Sequence, residues 1–400
     1  MKDEYDVIVV GAGPGGSIAA RTAAEECDVL LIEKRQEIGT PVRCAEGVSK
    51  ERLSEFIKPD KKWIASEIHR WRAYTPDGTM AELPGALFGF ETVYVLERKL
   101  FDRELAKRAA RAGADVLVRT RATGLIVQHG AVKGVKINRL GENFEVRSKV
   151  VIGADGVESQ VGRWGGINTT LKLEDIGSCA QYCMTNIDEP EDVISVYIGS
   201  VAPGGYAWLF PKGGKTANIG LAVLATKLNG KSSINYLNEF VAKNFPDGQP
   251  AALVMGGVPV SDEFKTIAGN GLLLVGDAAH CCDTATGAGI MTAMESGKMA
   301  GEVARKAMLQ DDASMKVLRE YKIRWHKAYG KVQKHNYKIK EFNANTSDEE
   351  FNRIVKDFKS IKFGGMNSLR AATRLLKENP KLLLFMRHLL YRALHEYRLG

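Results

Sequence analysis

The chain has 400 residues and a net charge of +8; 44% of its residues are hydrophobic and 26% are charged. These fractions are typical of a folded globular protein, and the length predicts two or three structural units. No apolar run reaches the roughly 18 residues that span a bilayer, and no signal peptide precedes the first predicted strand, so we expect a cytoplasmic protein. Six cysteines in so long a chain argue against a disulfide scaffold, and the sequence has no pair of CxxC motifs, so no metal site is expected.

Positive charge is concentrated in the last quarter of the chain. Residues 316–400 carry 20 Lys or Arg against 8 Asp or Glu, a net charge of +12, which indicates an anionic partner surface. Between residues 375 and 394 leucines recur at helical spacing, interleaved with cations such as Arg374, Lys377 and Lys381. This pattern fits either a helix packed on the protein body or an amphipathic helix at an anionic membrane surface. No nucleic-acid motif accompanies the charge, so no nucleic-acid partner is expected.

The N-terminal segment has the pattern of a βαβ dinucleotide-binding unit. An apolar strand at residues 5–10 leads into a small-residue helix, and a second apolar strand at residues 29–32 ends at Glu33. The turn between the first strand and the helix contains Gly11, Gly13, Pro14, Gly15 and Gly16.

Each part of this pattern has a chemical reason. Gly11 allows the tight turn, Gly13 allows the backbone to approach a pyrophosphate, and Gly16 allows close packing of helix and strand. The N-terminus of the helix offers its unpaired N–H groups to the anion. Glu33 is placed to accept hydrogen bonds from both ribose hydroxyls and would repel a 2′-phosphate, which favours FAD or NAD over NADP.

Further elements follow in chain order. Up to residue 146 we predict a polar helix at 50–62, a strand and turn at 71–79, a helix at 95–112, strands at 114–118 and 124–127, and a hairpin from 134–137 and 144–146. A strand at 149–152 ends near Asp155, residues 170–260 are rich in strands, and a strand at 271–275 ends at Asp277. A helix at 290–310 and basic helices complete the chain. Cys179 and Cys183 could share a helix face, although buried structural thiols are the favoured interpretation.

Three strand-to-loop motifs at large separations resemble the flavoprotein hydroxylase superfamily, typified by p-hydroxybenzoate hydroxylase. They are GAGPGG at 11–16, GADG at 153–156 and GDAAH at 276–280. Within that superfamily the chain resembles the archaeal geranylgeranyl reductases, because residues 203–211 read P-x-x-Y-x-W-x-F-P and Cys44 lies in an R-C-A-E-G loop.

The resemblance implies an α/β (α+β) fold. It implies a discontinuous, Rossmann-like FAD-binding domain (1–70, 95–165 and 265–315), interleaved with a substrate-binding β-sheet domain (71–94 and 166–264). A basic C-terminal helical region (316–400) follows.

The resemblance also implies the reaction and its partners. The expected activity is reduction of the double bonds of geranylgeranyl chains on glycerophospholipids of the 2,3-di-O-geranylgeranylglyceryl phosphate type, in archaeol membrane-lipid biosynthesis. Electrons would come from an external donor, either NAD(P)H or a ferredoxin-like protein, since the sequence holds only one complete dinucleotide fingerprint. The enzyme would bind peripherally to the cell membrane.

The family's cofactor contacts can be transferred to matching positions. Arg98 would reach the FAD phosphates and ribityl chain, Asp277 the ribityl or pyrophosphate region, and the amides of Gly287 and Gly289 the flavin pyrimidine. The remaining expected FAD contacts are Lys34, Cys44, Ala45, Gly47, Ala122, Asp155 and Ile290, beside the glycine cluster and Glu33.

Cys44 and the aromatic motif are the candidates for chemistry and substrate binding. An isolated alkene has no carbonyl to polarise, so hydride delivery by a flavin needs an acid for the other carbon, and the Cys44 thiol could supply that proton. Tyr206, Trp208 and Phe210 alternate and would share one face of a strand, forming an apolar wall for a polyprenyl chain. His280 is interpreted as a hydrogen-bonded loop residue rather than a catalytic base.

Two alternatives stay open at this point. The first is an FAD-dependent aromatic monooxygenase, although Cys281 and Cys282 stand in a loop where hydroxylases usually carry proline. The second is a non-catalytic prenyl-lipid escort protein. An escort has no need of an intact flavin site, so the presence of Glu33, Arg98 and Asp277 argues against it.

Overall fold

The computed structural model describes residues 1–83, 92–262 and 266–360. The strands are β1 (Glu4–Val10), β2 (Val29–Ile32), β3 (Gly47–Ser49), β4 (Ile64–Ile68), β5 (Arg70–Tyr74), β6 (Met80–Leu83), β7 (Val93–Leu96), β8 (Asp115–Leu117), β9 (Thr120–Gln128), β10 (Ala131–Arg139), β11 (Glu142–Gly153), β12 (Ile176–Thr185), β13 (Val193–Tyr197), β14 (Tyr206–Gly213), β15 (Thr216–Leu224), β16 (Gln249–Pro259), β17 (Ala268–Gly269) and β18 (Leu272–Leu274).

The α-helices are α1 (Pro14–Ala23), α2 (Lys50–Ser54), α3 (Arg98–Arg111), α4 (Gln160–Trp164), α5 (Ser233–Asn244), α6 (Ile290–Leu309), α7 (Met315–Trp325), α8 (Lys331–Ala344) and α9 (Asp348–Ser360). Within the described residues, no helix is both long enough and apolar enough to cross a membrane.

The chain divides into two compact units. The first unit comprises Met1–Val42, Glu97–Lys172 and Val258–Lys334; the second comprises Arg43–Leu96, Leu173–Gly257 and His335–Gly400. The division differs from the predicted domains at several boundaries. Residues 43–70 and 95–96 group with the second unit, and residues 166–172, 258–264 and 316–334 group with the first. Which unit holds cofactor and which holds substrate stays a prediction.

The first unit is built on an eight-stranded sheet. Its core is a parallel set in the order β18-β11-β1-β2-β8, and β10 and β9 extend it as antiparallel strands beside β11. Parallel strands of this kind are covered on both faces and read as continuous apolar runs, as Val7–Val10 and Val29–Ile32 do. Helices α1, α3 and α6 pack together on the sheet. The predicted α/β fold with a Rossmann-like arrangement is confirmed.

The second unit contains a seven-stranded sheet in the order β16-β12-β15-β14-β13-β5-β6 and a smaller sheet in the order β3-β7-β4. Helix α5 contacts β12 and β15. Apolar side chains on these elements, among them Leu209, Leu221, Leu237 and Phe240, form its buried core. The prediction that residues 170–260 are strand-rich is correct.

Several predicted elements differ from the structure. The polar helix predicted at 50–62 is wrong beyond Ser54, where α2 ends; Pro59 cannot continue a helix. The helix predicted from residue 95 begins at Arg98, because Val95 and Leu96 belong to β7. Cys179 and Cys183 do not share a helix face, since both lie on the strand β12.

The second strand of the predicted hairpin, at 144–146, and the strand predicted at 149–152 are one strand, because β11 runs without a break from Glu142 to Gly153. The amphipathic pattern at 375–394 lies outside the described residues, so the interpretation of that segment stays a prediction.

Candidate active site

Four predicted cofactor residues lie at one edge of the first unit's sheet. Gly11 follows β1, Glu33 follows β2, Asp155 follows β11 and Asp277 follows β18. These four strands are parallel neighbours, and Val10 pairs with both Ile32 and Gly153, so their carboxyl ends lie level. Ligands of open α/β sheets bind outside the carboxyl ends of the strands.

The glycine turn has the shape that a pyrophosphate site requires. Gly11 has φ +108°, and a Cβ placed there would lie 2.4 Å from the Ala154 carbonyl oxygen; a Cβ on Gly16 would lie 1.9 Å from the Gly11 carbonyl oxygen. A Cβ on Gly13 would meet nothing within 4 Å. The space beside Gly13 is therefore open to a ligand, and α1 begins at Pro14, so its first N–H groups have no acceptor within the helix. These residues fit FAD.

Glu33 is held in place by the backbone around it. Its Oε2 accepts a hydrogen bond from the Ala12 N–H at 3.1 Å, and its Oε1 accepts one from the Arg35 N–H at 3.0 Å. Each oxygen keeps a lone pair for a further donor, so the carboxylate can still accept from ribose hydroxyls.

The predicted contact Lys34 lines a cavity of about 560 Å³ beyond the end of β2. Its full lining is Lys34, Arg35, Gln36, Glu37, Thr40, Pro41, Arg119, Arg121, Asn138, Leu140 and Gly141. The one lining carboxylate, Glu37, is paired with Arg103 and with Lys99. The cavity is therefore net positive. The predicted contact Ala122 lies on β9, next to Arg121.

Asp155 carries a buried oxygen that is available to a ligand. Its Oδ2 accepts from the N–H groups of Gln160, at 2.7 Å, and Val161, at 3.0 Å. Its Oδ1 is buried and has no hydrogen-bond partner within the part of the chain that the structure describes. Burial raises the pKa of this carboxyl. A cofactor hydroxyl or N–H would satisfy the remaining oxygen.

The charges of Asp277 and Arg98 interact at the same edge of the sheet. Burial raises the pKa of Asp277 to about 6, and the Arg98 guanidinium partly opposes that rise. Arg98 donates two hydrogen bonds of 2.8 Å to Asp102, one turn along α3, which fixes the guanidinium.

The segment after Asp277 brings the predicted glycines to it. A Cβ on Gly289 would lie 3.4 Å from Asp277 Oδ1, and Gly287 has φ +72°. Gly289 caps α6, and the buried Ile290 is its first residue. The N-terminus of α6 therefore lies near Asp277, and its first N–H groups have no acceptor within the helix. Such N–H groups can stabilise a bound anion.

In the second unit, Cys44 lies in a loop held by polar side chains. Cys44 Sγ accepts from the Glu46 N–H at 3.2 Å, and the Cys44 carbonyl oxygen accepts from Gln181 Nε2 at 2.9 Å. Gln181 Oε1 in turn accepts from the Trp208 indole N–H at 2.9 Å. The neighbouring Cys179 is half-buried, and burial raises the pKa of its thiol to about 12.

Glu46 fixes the other side of the same loop. Its Oε2 accepts from Lys212 Nζ at 2.5 Å and from Asn218 Nδ2 at 2.6 Å, and both members of the Glu46–Lys212 ion pair are less than 10% exposed. A Cβ on Gly47 would lie 2.5 Å from the Phe210 ring. The predicted contacts Ala45 and Gly47 therefore lie in a rigid loop.

The sequence did not single out Gln181, Lys212 or Asn218. Each stands on a strand more than 130 residues from Cys44, and no local pattern links it to that loop. Only the sheet pairing of β12, β15 and β14 brings them together.

The aromatic motif lies on one face of β14, as its alternation predicts. Trp208 and Phe210 are buried against Ile68 and Val95, and Tyr206 packs edge-on against Trp208 with ring centroids 5.7 Å apart. Tyr206 is the most accessible of the three. The role of these rings in substrate binding stays a prediction.

His280 and the remaining cysteines take structural positions. His280 is buried; its Nδ1 lies 3.0 Å from Ser261 Oγ and its Nε2 3.4 Å from the Thr169 carbonyl oxygen. Cys281 and Cys282 are buried, and all six cysteines, which lie in the described ranges, are without a disulfide. Across the described ranges, no cluster of His, Cys, Asp or Glu could hold a metal ion.

Comparison with known sequences identifies two matching families. The family described as FAD dependent oxidoreductase matches residues 6–202, and the family described as geranylgeranyl reductase catalytic domain matches residues 175–259. The second range contains β12, β14 and β15, which hold the Cys44 loop.

Full-length relatives agree with these matches. A digeranylgeranylglycerophospholipid reductase of Methanocella arvoryzae is 52% identical, with 96% of this chain and 98% of the relative covered. The protein of the same name in Methanosarcina mazei is 49% identical, with 99% and 98% covered.

Solved structures show the same fold. A geranylgeranyl bacteriochlorophyll reductase-like protein from Thermoplasma acidophilum is 40% identical, with a TM-score of 0.87 over 95% of this chain and 99% of that one. A myxobacterial chondrochloren halogenase, 15% identical over 98% of each chain with a TM-score of 0.68, shares the fold alone. On the sequence relatives, the chain belongs to the digeranylgeranylglycerophospholipid reductase family of FAD-dependent oxidoreductases.

Proposed function

We propose that this protein is an FAD-dependent reductase that saturates the double bonds of geranylgeranyl chains on ether glycerophospholipids, in the synthesis of archaeol-type membrane lipid. The substrate is of the 2,3-di-O-geranylgeranylglyceryl phosphate type. The observation that carries this proposal is the fixed thiol loop around Cys44, held by strands within the range that matches the geranylgeranyl reductase catalytic domain.

The first unit holds the cofactor in this proposal. The turn at Gly11–Gly16 and the N-terminus of α1 bind the pyrophosphate, and Glu33 accepts from the ribose. Arg98, Asp155 and Asp277 bind the remaining polar groups, and the N-terminus of α6 stabilises negative charge on the ring. When bound and reduced, FAD supplies a hydride.

Cys44 supplies the proton in this proposal. Saturating one double bond adds a hydride to one carbon and a proton to the other, and an isolated alkene has no carbonyl that could take up charge. The thiol gives its proton to the second carbon and is reprotonated from solvent, so each double bond consumes two electrons and two protons. A positioned general acid typically contributes about 10²- to 10⁴-fold to such a step.

The aromatic face of β14 provides the apolar contact for the chain of the lipid. Tyr206 has the most accessible ring, and Trp208 and Phe210 stiffen the face behind it. Aromatic rings of this kind offer a large apolar area with little loss of conformational entropy.

The partners follow from the chemistry. Two electrons per double bond come from an external donor, NAD(P)H or a ferredoxin-like protein. Peripheral contact with an anionic membrane surface would let a cytoplasmic enzyme reach a lipid substrate, and the basic residues of the last quarter supply the charge for that contact.

The test is product analysis. The purified protein should contain FAD; after reduction by dithionite without oxygen, it should convert a geranylgeranyl ether lipid to species heavier by two hydrogens per reduced double bond. An oxygenated product formed only in air would support the monooxygenase instead. Tight lipid binding with no change in mass, by a protein without flavin, would support the escort.

A further inference from the structure

We infer that Gln181, oriented by Trp208, is a positioning residue that fixes the peptide of Cys44 and thereby directs the thiol. The inference rests on the proposed role of Cys44 as proton donor. It adds a function for Trp208 beyond forming an apolar wall.

The hydrogen bonds of Gln181 define a single orientation of its amide. An indole N–H can only donate and a backbone carbonyl can only accept, so Oε1 must face Trp208 and Nε2 must face Cys44. Both bonds measure 2.9 Å, and Gln181 and Trp208 are 6% and 7% exposed. Water therefore competes little for either bond.

The loop needs this support because regular structure begins only after Cys44. The first strand pairing is at Gly47, where β3 meets β7. Glu46, in the left-handed region with φ +76°, is held by Lys212 and Asn218. Gln181 holds the peptide on the near side, so the thiol lies between two anchored points.

Two consequences follow if the Gln181 bond is removed. The Cys44 carbonyl loses its buried donor and the peptide between residues 44 and 45 gains freedom to rotate, which moves Sγ away from its bond with the Glu46 N–H. The fold itself should persist, because β12 pairs with β15 over eight residues that this change leaves intact.

The sharpest variant is Gln181→Glu. A neutral carboxyl can donate to the Cys44 carbonyl and accept from Trp208, as the amide does; an ionised one can only accept. The charged and titratable groups around this position come from two elements. The loop supplies Arg43, Cys44 and Glu46, the last paired with Lys212, and β12 supplies Cys179 and Cys183 on the face that carries Gln181. Cys179 stays neutral over the test range, since burial raises its pKa to about 12.

The experiment measures single-turnover reoxidation of the reduced holoenzyme by a geranylgeranyl ether lipid, without oxygen, from pH 5 to 8. Gln181→Glu should match the unmodified protein at low pH and slow about tenfold as its carboxyl ionises. Gln181→Leu should be about tenfold slower at every pH, with an unchanged lipid concentration at half-maximal rate and unchanged FAD content. Gln181→Glu and Gln181→Leu rates within twofold of the unmodified protein at all pH values would overturn the inference.

A second readout does not depend on turnover. Alkylation of Cys44 by N-ethylmaleimide, followed by peptide mass spectrometry, should change at least fivefold in Gln181→Leu relative to the unmodified protein under the same conditions. An unchanged Cys44 rate would also overturn the inference. Failure of the lipid reaction with a changed alkylation rate would instead contradict the proposed function and leave the positioning role supported.

Discussion

The two units build their sites in different ways. In the first unit the backbone sets the shape of the candidate site: glycines form the turn, and acidic residues follow the ends of parallel strands. In the second unit side chains from three distant strand positions, Gln181, Lys212 and Asn218, hold a loop that has no regular structure at the thiol.

The difference decides what each site tolerates. A site shaped by the backbone fails when a side chain is added, because there is no room for it or because it fills the ligand's space. A site held by buried polar side chains fails when one partner is removed, since the other is left without its hydrogen bond. The following changes test this contrast.

The largest effect is expected for Gly13→Val. The Cβ of the new side chain meets open space in the protein, and the side chain would occupy the volume that we propose for the pyrophosphate. We expect a folded protein that binds FAD at least about 100-fold more weakly, a loss of roughly 2.7 kcal/mol, and therefore has no activity. FAD affinity is measured by titration of the apoprotein.

Gly269→Val on β17 is the matched control, because a Cβ there makes only ordinary contacts of 3.8 Å or more. Stoichiometric flavin in purified Gly13→Val protein would contradict the pyrophosphate assignment. The Cys44 loop should be unaffected, so its alkylation rate should stay unchanged.

The next effect concerns membrane contact. Replacing Arg374, Lys377 and Lys381 by Gln should weaken binding to anionic phospholipid vesicles about 100-fold at low salt, since each cation contributes about 1 kcal/mol near such a surface. Binding of the unmodified protein should fall steeply towards physiological salt. Vesicle co-sedimentation measures both.

The control replaces the exposed Lys58, Lys61 and Lys62 by Gln, an equal change of charge far away in the sequence. Equal loss in both variants would indicate a nonspecific charge effect. Vesicle binding that changes neither with salt nor on replacing Arg374, Lys377 and Lys381 would favour the interpretation that the C-terminal segment is a helix packed on the protein body.

The smallest effect is a pH dependence of apoprotein stability. Burial raises the pKa of Asp277 to about 6, above its unfolded value of about 3.9, so the folded state binds this proton more tightly. The free energy of unfolding therefore falls as pH rises from about 4 to 6 and stays lower above it. Asp277→Asn should raise the melting temperature of the apoprotein by a few degrees at pH 7 and by less at pH 4.5.

Asp311→Asn serves as the control, because the pKa of Asp311 is shifted in the opposite direction to that of Asp277. Lys149 lowers the pKa of Asp311, so its contribution to stability is complete above pH 4 and does not change between pH 4.5 and 7. A melting difference for Asp277→Asn that is equal at both pH values would show that the carboxyl does not titrate as described.

The sequence predicts the first unit well because its signals are local. Gly11, Gly13 and Glu33 stand within one βαβ segment, and the strands that end at Asp155 and Asp277 are apolar runs with an acid after them. Their order in the sheet is not written in any of these segments. The structure supplies that order.

The sequence predicts the second unit less well, because its site depends on contacts between residues far apart in the chain. The helix predicted at 50–62 extended a polar pattern past Ser54, where α2 ends. The possibility that Cys179 and Cys183 share a helix face left out the pairing of β12 with β15. Gln181 gives no signal as a single polar residue in a strand, because its significance depends on Trp208 and Cys44 meeting in three dimensions.

The central claim is that a thiol fixed by the second unit protonates an alkene that receives a hydride from FAD. It is tested most directly by anaerobic single-turnover reoxidation of dithionite-reduced protein by a geranylgeranyl ether lipid, comparing Cys44→Ser with the neighbouring Cys179→Ser. We predict that Cys44→Ser binds FAD normally and reoxidises about 10²- to 10⁴-fold more slowly, because a hydroxyl is a far weaker acid than a thiol, while Cys179→Ser stays within threefold of the unmodified protein. A Cys44→Ser rate within threefold of the unmodified protein would contradict the claim and leave this thiol a structural role.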